Sequence, residues 1–140
     1  MPDMLPERTI EPEVLQDLEV VQRPSLGWGI DLEKKRVTAP IDGVGAVKQA
    51  IRLICSTERY ALPIHTWDYG VELTDLYGAN NYFTIPLLQQ RILDALEQDD
   101  RITDIKNLQI EQTKKNTYSV YLEVTTVFNE DADIGVEVVI

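Results

Sequence analysis

His65 stands close in sequence to Glu58 and Asp68, and an imidazole beside carboxylates is the grouping that general acid–base catalysis uses. Carboxylate pairs such as Glu58 with Glu72, or Asp99 with Asp100, are the residue types that cleave a glycosidic bond when a cleft holds them apart at a fixed distance. Neither grouping has a supporting motif. No serine or cysteine sits in a G-x-S-x-G elbow, no glycine-rich loop is present to cradle phosphate, and no H-E-x-x-H occurs. In a chain with 24 acids, neighbouring carboxylates arise by chance. His65 therefore reads as a loop histidine with a hydrogen-bonding task. A single histidine and a single cysteine, Cys55, cannot build a usual zinc site or an internal disulfide, so no metal and no cofactor is expected and a reducing compartment fits.

Any site must be carried by one domain, since 140 residues match the roughly 100–150 of a typical single domain. The net charge of −11 has the wrong sign for a phosphate backbone or an anionic bilayer surface, which argues against nucleic acid and membrane partners. The charge-free stretch over residues 76–90 contains two Asn and a Pro and is too short to span a bilayer. The opening residues place an early acid where a secretory signal has bases and an apolar run, so the expectation is folding in a cytoplasm. Residues 1–24 carry six acids and two bases, residues 129–140 four acids and no base, and the body between is close to neutral. Pro2, Pro6, Pro12 and Pro24 interrupt any helix in the first segment. Residues 1–25 are thus expected to form an extended arm, with one amphipathic piece at residues 14–21 suited to folding against a partner. Residues 26–140 are expected to form the domain.

Within that domain Trp28, Ile30 and Leu32 alternate with polar neighbours, Glu33 to Arg36 turn the chain, and Val37 to Ile41 return it as a hairpin. Asp42 is placed as an N-cap, and Val47, Ala50, Ile51 and Ile54 share one face of a helix over residues 43–55, with Cys55 in the core. A turn of helix is expected within residues 70–76, ended by Gly78. Thr84 with Pro86 predicts a second helix start, running to about Gln98. The period then changes from 3.6 to 2. Leu108 and Ile110, then Tyr118, Val120, Leu122 and Val124, and finally Ile134, Val136, Val138 and Ile140 alternate as strands, with a turn at Lys114-Lys115-Asn116. The expected fold is α+β, two helices packed on a mainly antiparallel sheet in the order ββ-α-loop-α-βββ.

Glu58 and Arg59 leave the end of the first helix and are placed for a partly buried, forked ion pair. Tyr69-Gly70 sets an aromatic beside a residue free to adopt positive φ, which suits a tight reversal. Tyr60, Trp67, Tyr77, Tyr82 and Phe83 gather in the loop region, and such residues are enriched at interfaces. The run from Gln49 through Thr57-Glu58-Arg59-Tyr60, then Trp67 to Gly78 with its Tyr69-Gly70, then Asp99-Asp100-Arg101 after the second helix, resembles the XkdS-like baseplate proteins of contractile prophage tails. More distantly it is similar to the sheath-initiator wedge subunits of contractile phages and type VI secretion systems. The resemblance covers residues 26–140.

The resemblance implies a structural, non-enzymatic baseplate protein. In those relatives a Glu-Pro-Arg triplet after the second helix attaches the subunit to the helical core bundle of the wedge. Asp99-Asp100-Arg101 stands at that place here, with the arginine retained and the proline replaced by Asp100. The implied partners are other baseplate wedge proteins, hub or tube proteins through residues 1–25, and the tail sheath, in about six copies per particle by the family's pattern. The implied location is the virion or phage-tail-like particle, assembled in the host cytoplasm. The last strand, with Ile134, Val136, Val138 and Ile140, is expected to leave an unpaired edge that sheath extends by strand addition. Two other readings stand beside this one: a peptidoglycan hydrolase using paired carboxylates, and an acidic regulatory adaptor.

Overall fold

The computed structural model describes residues 25–140. The expected arm, with its amphipathic piece at residues 14–21, lies outside the described residues apart from Ser25. The α+β class and the order ββ-α-α-βββ are as expected. The strands divide into two antiparallel sheets, a hairpin of two and a meander of three.

The hairpin is β1 (Gly27–Asp31) and β2 (Arg36–Ile41). At its turn the Asp31 carboxylate accepts from the Lys34 N–H at 3.0 Å, and Lys35 adopts a φ of 50°. Helix α1 (Gly43–Ser56) begins at Asp42, whose carboxylate accepts from the Gly43 N–H at 2.7 Å and from the Ser25 hydroxyl. The Ser25 hydrogen bond, then that of Gly43, holds the Asp42 carboxyl below its ordinary range. Val47, Ile51, Ile54 and Cys55 of α1 are buried at the helical spacing read from the sequence. A single 3₁₀ turn at Thr74–Leu76 follows the loop, and Gly78 turns the chain away with a φ of 72°.

Helix α2 (Asn81–Leu96) starts before the expected Thr84. Asn80 is the N-cap, its side chain accepting from the Tyr82 N–H at 3.2 Å. Thr84 is instead a buried residue of the first turn whose hydroxyl donates to the Asn80 carbonyl at 3.1 Å. Pro86 therefore sits inside the helix, where its missing N–H removes the hydrogen bond to the Tyr82 carbonyl. Leu88, Ile92, Ala95 and Leu96 are buried.

Strands β3 (Ile102–Lys114), β4 (Thr117–Thr126) and β5 (Asp131–Val139) pair in the order β3-β4-β5. On β4 and β5 every second side chain is buried, from Tyr118 to Val124 and from Ala132 to Val138. β3 begins well before the Leu108 that first shows a period of two, because irregularities between Ile102 and Asp104 and between Ile105 and Asn107 break its alternation. The core lies between the buried face of this sheet and the two helices, with α1 against β5 and α2 against β3. The β1–β2 hairpin is joined to α1 by Gln49, whose amide donates to the Trp28 carbonyl at 2.9 Å and accepts from the Ile30 N–H at 2.8 Å.

Candidate functional site

Arg59 and Glu58 follow α1 in extended backbone, where neighbouring side chains project to opposite sides. They do not form the expected forked pair with each other. Both reach instead to residues 70–74. The Glu58 carboxylate accepts from the Leu73 N–H at 3.0 Å, from the Thr74 N–H at 3.2 Å and from the Thr74 hydroxyl at 2.9 Å. It thereby caps the 3₁₀ turn. Arg59 Nε donates to the Gly70 carbonyl at 3.1 Å. A parallel bridge between Glu58 and Val71 closes the loop through Arg59 N–H to Val71 carbonyl (3.1 Å) and Val71 N–H to Thr57 carbonyl (2.9 Å). Gly70 has the expected positive φ, 95°, and a Cβ there would lie 2.6 Å from the Thr57 carbonyl oxygen.

Tyr69 is half-buried against the core and stacks on His65 with ring centroids 4.4 Å apart. Burial, then the charges of Asp99 and Cys55, push the Tyr69 hydroxyl above its ordinary value. His65, expected to have a hydrogen-bonding task, instead stacks its ring on Tyr69, and its backbone N–H donates to the Leu62 carbonyl at 3.2 Å. Glu58, as the cap of the 3₁₀ turn, is committed to Leu73 and Thr74. Among the described residues no group of His, Cys, Asp and Glu could hold a metal ion, and no helix is long and apolar enough to cross a membrane.

The turn after α2 is fastened from within. Arg101 Nε and Nη2 donate to the two oxygens of Asp99 at 2.9 and 2.7 Å, and the Arg101 N–H donates to Asp99 Oδ1 at 3.0 Å. Side-chain exposure is 17% for Arg101 and 9% for Asp99, so the fork is largely withdrawn from solvent. The hydrogen bonds that Arg101 donates to Asp99 hold its guanidinium above its ordinary value. Within the described chain Asp99 is the partner of the Arg101 guanidinium, because a two-residue separation across a tight turn brings acid and base face to face. Asp100 is the exposed member of the three. Beside them lies a groove of about 540 Å³ between α1 (Ala50, Leu53, Ile54), Tyr69 and the end of α2. The structure thus brings Tyr69 together with Asp99, Asp100 and Arg101.

β5 is the outer member of its sheet, paired with β4 on one side only among the described residues. Ile134, Val136, Val138 and Ile140 point into the core, so their side chains cannot be the ones a partner touches. What the strand offers outward is its backbone edge and its solvent-side residues, Gly135 and Glu137 among them. A groove of about 730 Å³ borders this edge between β5, α1 and the hairpin. Gln49, which holds the hairpin beside the groove, carries no signal in the sequence, being one more amide on a helix. The Asp99 to Arg101 fork is the kind of contact that an Asp-x-Arg spacing at a helix end could have shown.

A small α+β domain with a helix-end groove and a strand edge open among the described residues carries surfaces suited to contact with other proteins. Residues 28–129 match the family of contractile injection system sheath initiators, and the chain belongs to that family. Over 114 residues it is 35% identical to the phage-like element PBSX protein XkdS of Bacillus subtilis (strain 168), an alignment covering 74% of this chain and 79% of that protein. The expected likeness is therefore real, and the chain has the role of a structural baseplate component and sheath initiator of a contractile tail. It is not an enzyme, and the hydrolase reading falls. It works with the other components of such a tail, sheath included, and has its place in the virion or tail-like particle.

Proposed function

We propose that this chain docks on the core bundle of the baseplate wedge through the Asp99-Asp100-Arg101 turn and the groove beside it, and starts the sheath by offering β5 as a strand to be extended. The observation that carries this reading is the edge of β5 left open among the described residues, on a strand whose inner side chains are locked in the core. An edge fixed that way presents main-chain donors and acceptors in a set register. The docking turn supports it with a preformed shape: Arg101 spends Nε and Nη2 on Asp99, leaving Nη1 and the exposed Asp100 as polar contacts for the wedge. Residues 26–140 act as the wedge domain, residues 1–25 reach hub or tube subunits, six copies complete the ring, and assembly takes place in the host cytoplasm.

Hydrogen exchange read by mass spectrometry tests both contacts at once. The free chain is compared with the chain in baseplates without sheath and in baseplates carrying it. The expected result is protection of residues 98–102 on baseplate assembly, and of β5 amides only once sheath is present. Sheath-dependent protection confined to other elements, with β5 unchanged, would refute the initiating role of the strand.

A further inference from the structure

Gly135 stands at the middle of β5 on the solvent side of the sheet, with Asp133 and Glu137 two residues away on the same face. Tyr121 lies directly opposite on β4, and its ring occupies the space over the glycine: a Cβ at Gly135 would meet Tyr121 Cε1 at 3.3 Å. A glycine so placed leaves the neighbouring ring reachable from the free edge of the strand. The acids of β5 differ in what they are given. Asp131 holds Lys106 at 2.6 Å and accepts from the Thr125 hydroxyl at 3.1 Å. Asp133 and Glu137 form no ion pair among the described residues. On the inner side the same stretch of β5 borders the groove of about 730 Å³, whose opposite walls mix apolar Leu53, Ile30 and Leu32 with polar Arg52, Ser56 and Thr38.

We propose that the segment added to β5 comes from a different chain and carries the alternating pattern base, apolar, aromatic, apolar, base, with its aromatic residue beside Gly135 and its bases beside Asp133 and Glu137. The inference rests on the strand-addition reading above and specifies its partner. A strand about 4.8 Å from β5 puts its solvent-side residues level with those of β5. The aromatic residue then meets the edge of the Tyr121 ring across the bare glycine, an aromatic pair of the kind that stabilises cross-strand contacts. The two bases, one position pair to either side, neutralise the two acids that have no base of their own. The alternate side chains turn inward, where Leu53, Ile30 and Leu32 give apolar ones a surface to pack on. The pattern reads the same in both directions, so it holds for a parallel or an antiparallel addition. A second copy of this chain does not fit, because its own β5 would set acid against acid.

The test uses the full chain and a synthetic heptapeptide, Thr-Lys-Val-Tyr-Val-Lys-Thr, titrated by two-dimensional NMR at low ionic strength. Its counterpart with glutamate in place of both lysines is run beside it, as is a lysine peptide N-methylated at alternate amides. The lysine peptide is expected to shift β5 amides and to bind about tenfold more tightly than the glutamate peptide. In the double variant Asp133→Lys, Glu137→Lys, both positions being exposed, the order of the two peptides should invert, which also shows that the variant is folded. Equal binding of lysine and glutamate peptides, with the N-methylated one inactive, would overturn the charge pattern and leave strand addition standing. Failure of all the peptides, or binding untouched by N-methylation, would overturn strand addition and this inference with it.

Discussion

At Gly70 two parts of the loop region pack backbone against backbone. Its φ of 95° and the Thr57 carbonyl 2.6 Å from the position of a Cβ leave no room for any side chain. Gly70→Ala should lower the free energy of unfolding by about 1–3 kcal/mol, read by urea denaturation, since both the backbone conformation and the close approach are lost. The sequence made this glycine legible as a turn beside an aromatic residue, and that much stands. It did not make Glu58 and Arg59 legible, because adjacency in sequence suggested an ion pair while an extended backbone sends the two side chains apart. The same limit applies to Arg101. Residue type and position marked it as a contact, but only three-dimensional placement shows that Asp99 already holds its guanidinium.

Among the elements, β4 and the body of β5 from Ile134 were legible, because a strand with one buried face must alternate and a shift of one residue would turn its apolar set to solvent; the start of β5 at Asp131, with small Ala132 as its first buried residue, was not. β3 was half legible, since its irregularities hide the period. The start of α2 was misplaced because Thr84 and Asn80 are both capping residues and the one nearer to Pro86 looked the better. The turn at Glu33 to Arg36 makes the β1–β2 hairpin legible, but alternation says nothing about which sheet a hairpin joins, so its separation from β3–β5 could not be read. That hairpin buries few of its own side chains: Trp28, Ile30, Leu32 and Val37 are exposed. Isolated hairpins are marginal in water, so the clasp from Gln49 should matter out of proportion to its size. Gln49→Ala removes a donor and an acceptor, and hydrogen exchange at Ile30 should accelerate about tenfold while the melting temperature of the domain scarcely moves. Unaltered exchange at Ile30 would show that the hairpin is held by other contacts.

For the whole molecule, titration of the core sets a limit at alkaline pH. Burial pushes the Cys55 thiol up to about 12 from an ordinary value of 9.0. Below 9 both folded and unfolded chains keep that proton, and stability is at its full value with respect to Cys55. Between 9 and 12 the unfolded chain releases it and the folded chain does not, so stability falls as pH rises through this window. The Tyr69 hydroxyl, also raised, acts in the same direction. Urea unfolding at several alkaline pH values should show this decline, and Cys55→Val should make it shallower at the onset near pH 9. A decline of the same slope in that variant would place its cause elsewhere.

The packing of α1 on β5 joins an early element of the domain to its last strand. At synthesis rates of about 5–20 residues per second, β5 follows α1 out of the ribosome roughly 4–15 s later. During that interval Val47, Ile51 and Ile54 lack part of their eventual cover, while β3 and β4 have time to form their local hairpin. The last strand to arrive is therefore the one that closes the core. The strand proposed above for sheath addition takes its place only when the core closes, so an incompletely folded subunit has no such edge to offer.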